Sequence, residues 1–445
     1  MSRHARSIEL LGVPTVAVSG RNIVEYALGY DFTFMNGMPI RYVSIPHPVA
    51  GLSKSVHRQY VEGNDLLTGK PLVQSIIDGL TRPLTENETV SGIPAAETPE
   101  PRLLPPDTAD NLHRLFNEKE WTDYNPIVLP TEEKVAVMLT GTSHTPDEVV
   151  KVINDNGGAR PLTVEKVAIY AVMAGAKPAY MPLLLALATR APYGNSTTSM
   201  ANMIVVNGPI RKELGMNSGT NAMGPYNEAN SIIGRTFTLM SKTAGDLRNG
   251  VSAWESLGNN MQYNNVTIAE NEEALPEGWE PLHVQMGFQA TDSVITVGTG
   301  WSYISSMGSI QHLYPAQYLI RDYMTALSAV GSAATIMMDP TVATILMEEH
   351  GFTTKKELSQ WLSANVEKTA ASYWGNAVVA STYAVMGLQG LEPYASWQKL
   401  PGEAKMNPFN NPAAIQIIVV GGEVQSTWFA TDFRLGRGVL IDDWR

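Results

Sequence analysis

Two histidines and one asparagine-rich loop combine residue types and spacings suited to chemistry. His47 stands between Pro46 and Pro48. The flanking prolines restrict the backbone, so the imidazole is presented rigidly at the end of a predicted strand, where ligands of α/β sheets gather. It can protonate a leaving group or tune a neighbouring thiol. Equally, it can be a turn histidine bonded to backbone. His283 follows the acidic run Glu270-Asn-Glu-Glu273. A histidine with carboxylates nearby can relay protons or hold a metal. No His-x-x-x-His or His-Glu-x-x-His spacing supports the metal, so none is expected on this chain, and the competing reading of the acidic run is a solvated surface.

The densest signal runs from Val206 to Arg235. A predicted strand ends in Asn207-Gly208-Pro209. A loop follows with Asn217, Ser218, Gly219, Asn221 and Asn227, and a long predicted helix then carries Asn230 and Arg235. Glycines let backbone N–H groups approach a ligand closely, and a helix N-terminus favours an anion. These seven residues are the candidate substrate-binding set, with Arg235 reaching a carboxylate if the loop folds back over it. The alternative is that Asn, Ser and Gly build turns and caps by bonding their own backbone. The segment is neither a Walker loop nor a dinucleotide fingerprint, and no Gly-x-Ser-x-Gly elbow occurs in the chain.

The elements that position these residues divide the chain in three. Residues 1–80 read as a partial, Rossmann-like α/β domain. A helix end stops at Gly12, an apolar run Val13 to Val18 suits a buried parallel strand, Asn22 to Leu28 suits a helix, and Tyr42 to Ile45 a second strand. Residues 81–124 read as a linker, because Pro83, Pro94, Pro99, Pro101, Pro105 and Pro106 disfavour helix and sheet. Residues 125–445 read as a larger, helix-rich α/β domain. Its predicted helices start at Thr131, Thr145-Pro-Asp-Glu148, Thr163, Asn227, Asp339-Pro340 and Thr354, and its strands lie at 203–206, 294–297 and 415–420. The fold class is therefore α/β: a truncated parallel sheet, then a larger α/β domain.

Composition narrows the function classes. With 44% apolar and 17% charged residues, the chain is globular. A net charge of −12 without a Lys/Arg cluster disfavours nucleic acid as a partner. The longest apolar stretch, Ala179 to Ala188, is about half a membrane span. The N-terminal residues lack the apolar stretch of a signal peptide. A soluble, cytoplasmic protein without membrane contact is expected. The cysteine count is 0, which removes disulfides, thiolate metal sites and a cysteine nucleophile from this chain.

The loop segment, together with Thr163-Val-Glu-Lys-Val-Ala-Ile-Tyr-Ala-Val-Met-Ala-Gly-Ala-Lys-Pro178, Ala269-Glu-Asn-Glu-Glu273, Glu280-Pro-Leu-His-Val284 and Val419-Val-Gly-Gly422, resembles the UGSC family, named for a Sec-Gly-Ser-Cys motif. Members carry selenocysteine or cysteine in that motif on a small α/β domain, followed by a helix and a Gly-Ile/Val-Pro-Thr-Val strand. Gly12-Val-Pro-Thr-Val16 matches that strand, and residues 1–11 match the latter part of the helix. The stretch through Ser44-Ile-Pro-His-Pro48 is also distantly similar to the selenoprotein B subunit of glycine and betaine reductases. The reactive loop itself is not in this sequence. The resemblance thus implies an oxidoreductase or lyase in which this chain is the large subunit of a hetero-oligomer. A small partner subunit would carry the reactive Cys or Sec in a Cys/Sec-Gly-Ser-Cys loop, and no cofactor is expected on this chain. The implied chemistry is reductive or lyase-type cleavage of a small anionic molecule, with His47 and His283 as proton carriers. Two other classes compete: a metal-assisted hydratase or hydrolase using His283 and the acidic run, and a non-catalytic scaffold subunit.

Overall fold

A computed structural model shows an α/β protein. It describes all residues except 1–4, 6–7, 22, 25–26, 29–39, 48, 50–51, 86–100, 156–157, 191–198, 246, 248–256 and 425. The chain forms two compact units. The first comprises residues 1–107 and 152–161, and the second residues 108–151 and 162–445. Among the described residues, no helix is long and apolar enough to cross a membrane.

The first unit is built on two parallel strands, β1 (Val16–Gly20) and β2 (Arg41–Ile45), in register from Val16 opposite Arg41 to Gly20 opposite Ile45. Ala17, Ile40 and Tyr42 bury one face against Ala5, Val24 and Ala27. The helix Leu72–Thr81 packs on the strands as well. Arg41 donates to the carbonyls of Gly79 and Arg82 at that helix's C-terminal end, where a cation is favoured. The buried Asp65 carboxylate accepts from the amide of Ser44 and the hydroxyl of Thr68.

The stretch read as a linker holds a helix, Ala109–Glu118, capped by Thr108, and the second unit begins there. A second departure follows. The Thr145-Pro-Asp-Glu148 start signal leads into a hairpin, β3 (Val149–Asp155) and β4 (Gly158–Thr163), and not into a helix. The β-branched residues of Val149-Val-Lys-Val-Ile153 suit a strand and outweigh a local helix-start signal. Elsewhere the caps act as read: Thr131, Thr163, Asp339 and Thr354 each accept a first-turn amide with their side chains, and Thr354 forms a full capping box with Glu357.

The second unit contains two larger sheets. Its strands are β5 (Ala201–Asn207), β6 (Val266–Ala269), β7 (Val294–Gly300), β8 (Tyr303–Ser305), β9 (Ala334–Met338), β10 (Lys368–Thr369), β11 (Lys405–Met406), β12 (Ile415–Val419), β13 (Trp428–Thr431), β14 (Arg434–Leu435) and β15 (Val439–Leu440). One sheet has the order β14-β7-β5-β6, with β15 also on β7. The other has the order β12-β9-β13-β8. β5 and β6 are parallel, as are β9 and β12, so each sheet has a pair of strands ending on the same side. Every residue of β5 is buried, as its near-continuous apolar sequence requires. Met203, Val205 and Ile268 of the first sheet meet Met337 and Ile418 of the second in one apolar cluster. The helices Val164–Ala174, Met181–Arg190 and Glu228–Thr243 pack together beside the first sheet.

Candidate functional site

The site grows from the carboxyl ends of β9 and β12. Asp339 follows β9 and caps the helix Pro340–Glu348, its Oδ1 accepting from the amide of Val342 at 2.8 Å. Its Oδ2 accepts from the Thr427 amide at 2.5 Å and the Thr427 hydroxyl at 3.1 Å. Burial raises the pKa of this carboxyl above the ordinary value, against the opposing pull of those donors. Beyond β12 the chain passes through Gly421, at φ +106°, whose amide donates to the Ser218 carbonyl at 2.8 Å. At Gly422 a Cβ would lie 2.0 Å from the hydroxyl oxygen of Thr220. Only glycine lets the two segments approach this closely. Between them lies a cavity of about 500 Å³, with Asn221, Met337, Met338, Asp339, Gly422 and Phe429 in its lining. Sequence-distant segments, the Asn/Gly loop and Val419-Val-Gly-Gly422, thus form parts of one lining.

Inside the loop, the asparagines hold the backbone. Asn217 donates to the Thr220 carbonyl and to Asn227 Oδ1, while its own Oδ1 accepts from the Gly219 amide. Asn227 donates to the carbonyls of Asn221 and Gly224, and Asn221 to that of Pro225. The buried Asn230 side chain accepts from the Asn217 amide and donates to the Asn217 carbonyl, and also reaches the Thr267 carbonyl. The turn-building reading of these residues therefore describes what their side chains do, and the loop is a rigid wall. Arg235 is turned to another task. It forks onto Asp123, Nε to Oδ2 at 3.0 Å and Nη2 to Oδ1 at 3.1 Å, and donates to the Pro126 carbonyl. The sequence expectation of a substrate carboxylate on Arg235 meets an internal carboxylate instead.

The acidic run is only partly a solvated surface, since Glu273 is exposed and Glu270 is not. Glu270 is fully buried. Its Oε1 faces the Lys355 ammonium at 2.5 Å, and its Oε2 accepts from Asn207 Nδ2 and the Leu282 amide, both at 2.7 Å. Arg211 reaches Glu272 at 2.8 Å, Glu273 at 3.1 Å and the carbonyl of Glu270 at 2.7 Å. The Arg211 guanidinium, helped by Lys212 and opposed by partial burial, holds the Glu273 carboxyl at about 2. His283 is wholly buried with Nδ1 3.8 Å from Glu272, and among the described residues neither ring nitrogen has a hydrogen-bond partner. It does not line the cavity. The run braces the cavity from behind: Asn271 donates through its amide to the Val419 carbonyl and through Nδ2 to the Gly421 carbonyl. Among the described residues, no cluster of three or more His, Cys, Asp or Glu is arranged to hold a metal.

Sequence reading missed Asp339 as a cavity residue, having placed it only as a helix start. It also missed Lys355 and Arg211 as partners of the acidic run. No local pattern joins them, since Lys355 and Glu270 are 85 residues apart. In the first unit, the exposed His47 follows β2 and lies against Gly20, where a Cβ would come 3.1 Å from its Nδ1. A second cavity of about 570 Å³ is bordered by Gln285, Met286, Lys355, Ser359 and Gln416. Its buried lysine is already neutralised by Glu270. Compared with protein-family models, with curated proteins and with solved structures, the chain matches none.

Proposed function

We propose that this chain is the substrate-binding subunit of an enzyme that cleaves a small molecule, with the nucleophilic thiol or selenol supplied by a partner chain. The observation that carries the reading is the cavity at the carboxyl ends of β9 and β12, formed jointly by the Asn/Gly loop and the Gly421–Gly422 turn. A recess of about 500 Å³ with apolar bulk and a few fixed polar groups suits a small organic ligand. Both segments belong to the motifs that resemble the UGSC family. The sequence holds 0 cysteines, and in this reading the thiol or selenol comes from a partner chain.

In this reading the chain binds and orients. The loop, braced by its own asparagines, keeps its shape without reorganisation when the ligand enters. The partner thiolate or selenolate attacks a ligand carbon and displaces the leaving group with its bonding electrons. A metal-assisted hydratase is supported less well, because the carboxylates it would need are matched by Arg211, Lys212 and Lys355. A pure scaffold gives no reason for the cavity.

The test is a native purification followed by a blocking variant. Val424 borders the cavity and is 69% exposed, so Val424→Trp obstructs the mouth without disturbing the core. Co-purification of a small chain with an alkylatable thiol or selenol is expected. Turnover should fall at least about tenfold in Val424→Trp at unchanged melting temperature. An active preparation of this chain alone, or full activity in the blocked variant, would defeat the proposal.

A further inference from the structure

The charge character of the cavity follows from which donors are still available to a ligand. An anion needs a fixed cation, or several backbone or side-chain N–H groups pointing at it. Among the described residues lining this cavity there is no Lys, Arg or His, and Asp339 is the sole ionisable side chain. Several amides of the two segments are committed internally: Gly219 donates to Asn217 Oδ1, Ala222 to the Gly219 carbonyl, Gly224 to the Asn221 carbonyl, and Gly421 to the Ser218 carbonyl. The side-chain amide groups of Asn217, Asn221, Asn227 and Asn230 also donate within the loop. Arg235, the cation expected for an anionic ligand, is forked onto Asp123. The helix N-terminus at Pro340 already has its anion, since Asp339 caps it. The charged group at the wall is the buried Asp339 carboxyl, only 5% exposed, with Met337 and Met338 also in the lining.

We infer that the cavity takes an uncharged or cationic small molecule and rejects carboxylates and phosphates, with Asp339 as the residue that sets this selectivity. This rests on the cavity being the ligand site. A second negative charge in a recess of low dielectric would be repelled by Asp339 and would find no counter-charge. A cation there relieves the burial of the carboxylate. The sequence led to the opposite expectation because it counts asparagines and glycines as donors without showing where their hydrogens go.

The test uses three probes of nearly equal size on the full chain, butylammonium, 1-butanol and butyrate, followed by ligand-observed NMR titration. Butylammonium and 1-butanol should bind, and butyrate should bind at least about tenfold more weakly, a 1.4 kcal/mol difference. Asp339→Asn keeps a capping oxygen for the Val342 amide, and should remove most of the preference for butylammonium over butyrate. Should that variant fold poorly by its melting temperature, Met223→Lys provides the second measurement. Met223 borders the cavity and is 38% exposed, and the added ammonium should bring butyrate binding up at least about tenfold. Butyrate binding as tightly as butylammonium to the unaltered protein overturns the inference, as does a preference unchanged in both variants. Val424→Trp separates the two readings. If it abolishes tight butyrate binding, the cavity stands as the ligand site and only the charge selectivity falls. If it changes no probe's binding, the cavity reading falls as well.

Discussion

At the scale of single residues, Glu270 shows how context decides a side chain's task. In sequence it is one of three glutamates in a polar run. In the fold it is enclosed, and Lys355, Asn207 and the Leu282 amide satisfy its carboxylate. A buried ion pair adds little net stability against an apolar substitute, but removing one partner leaves the other charge unpaired in low dielectric. Glu270→Gln should therefore lower unfolding free energy by about 3–5 kcal/mol, read from urea denaturation. Lys355→Met combined with Glu270→Leu should recover much of that loss. A single variant with an unchanged midpoint would show that Lys355 finds water or another acceptor. The acidic run itself was visible in the sequence. The burial of Glu270 was not, because the Lys355 cation that permits it comes from a distant position in the chain.

At the scale of elements, the helix Glu228–Thr243 and β6 meet at one glycine. A Cβ on Gly234 would stand 1.9 Å from the Asn264 carbonyl oxygen and 2.6 Å from Thr267 Oγ1. Alanine is the better helix former by about 1 kcal/mol, so on propensity alone Gly234→Ala should stabilise. The contact with backbone should reverse the sign, with a net loss of about 1–3 kcal/mol by thermal or chemical denaturation. A stabilised variant would mean that helix and strand separate easily. Helix starts at Thr131, Thr163, Asp339 and Thr354 were legible because a cap is a contact within one turn. The hairpin at β3 and β4 was misread for the converse reason: a start signal is weak against strand pairing, and Glu148 of that signal is engaged by His144.

At the scale of the whole second unit, the C-terminal residues fasten to a loop far away in sequence. Thr142 donates to the Trp444 carbonyl at 2.8 Å. His144 sits 2.9 Å from the Asp443 carbonyl through Nε2 and 2.9 Å from Glu148 through Nδ1, with its ring against Trp444. Both ring nitrogens face acceptors, and only the imidazolium donates from both. The Asp443 carbonyl, then Glu148, raise the pKa of His144 above its ordinary value, against slight burial. A raised folded pKa means this contact stabilises fully below the unfolded pKa and is lost as pH rises through the folded one. Stability should therefore decline from about pH 6 upward beyond the decline of His144→Gln, whose profile should be flatter in that window. Parallel pH profiles of the melting temperature for the two proteins check this. Identical slopes would place the proton elsewhere.

What the sequence determined by itself is what short-range chemistry controls. The α/β class, the strand β5, the parallel pairing of β1 with β2 and the helix caps follow from periodicity, capping and turn residues that act within a few positions. The tertiary structure decided where donors and charges point. It brought Gly421 and Gly422 against the loop, set Asp339 in the cavity wall, turned Arg235 to Asp123 and enclosed Glu270 with Lys355. Each of these joins segments far apart in the chain, and the partner of a charge is fixed by packing and desolvation over the whole unit, which no local pattern of residues encodes.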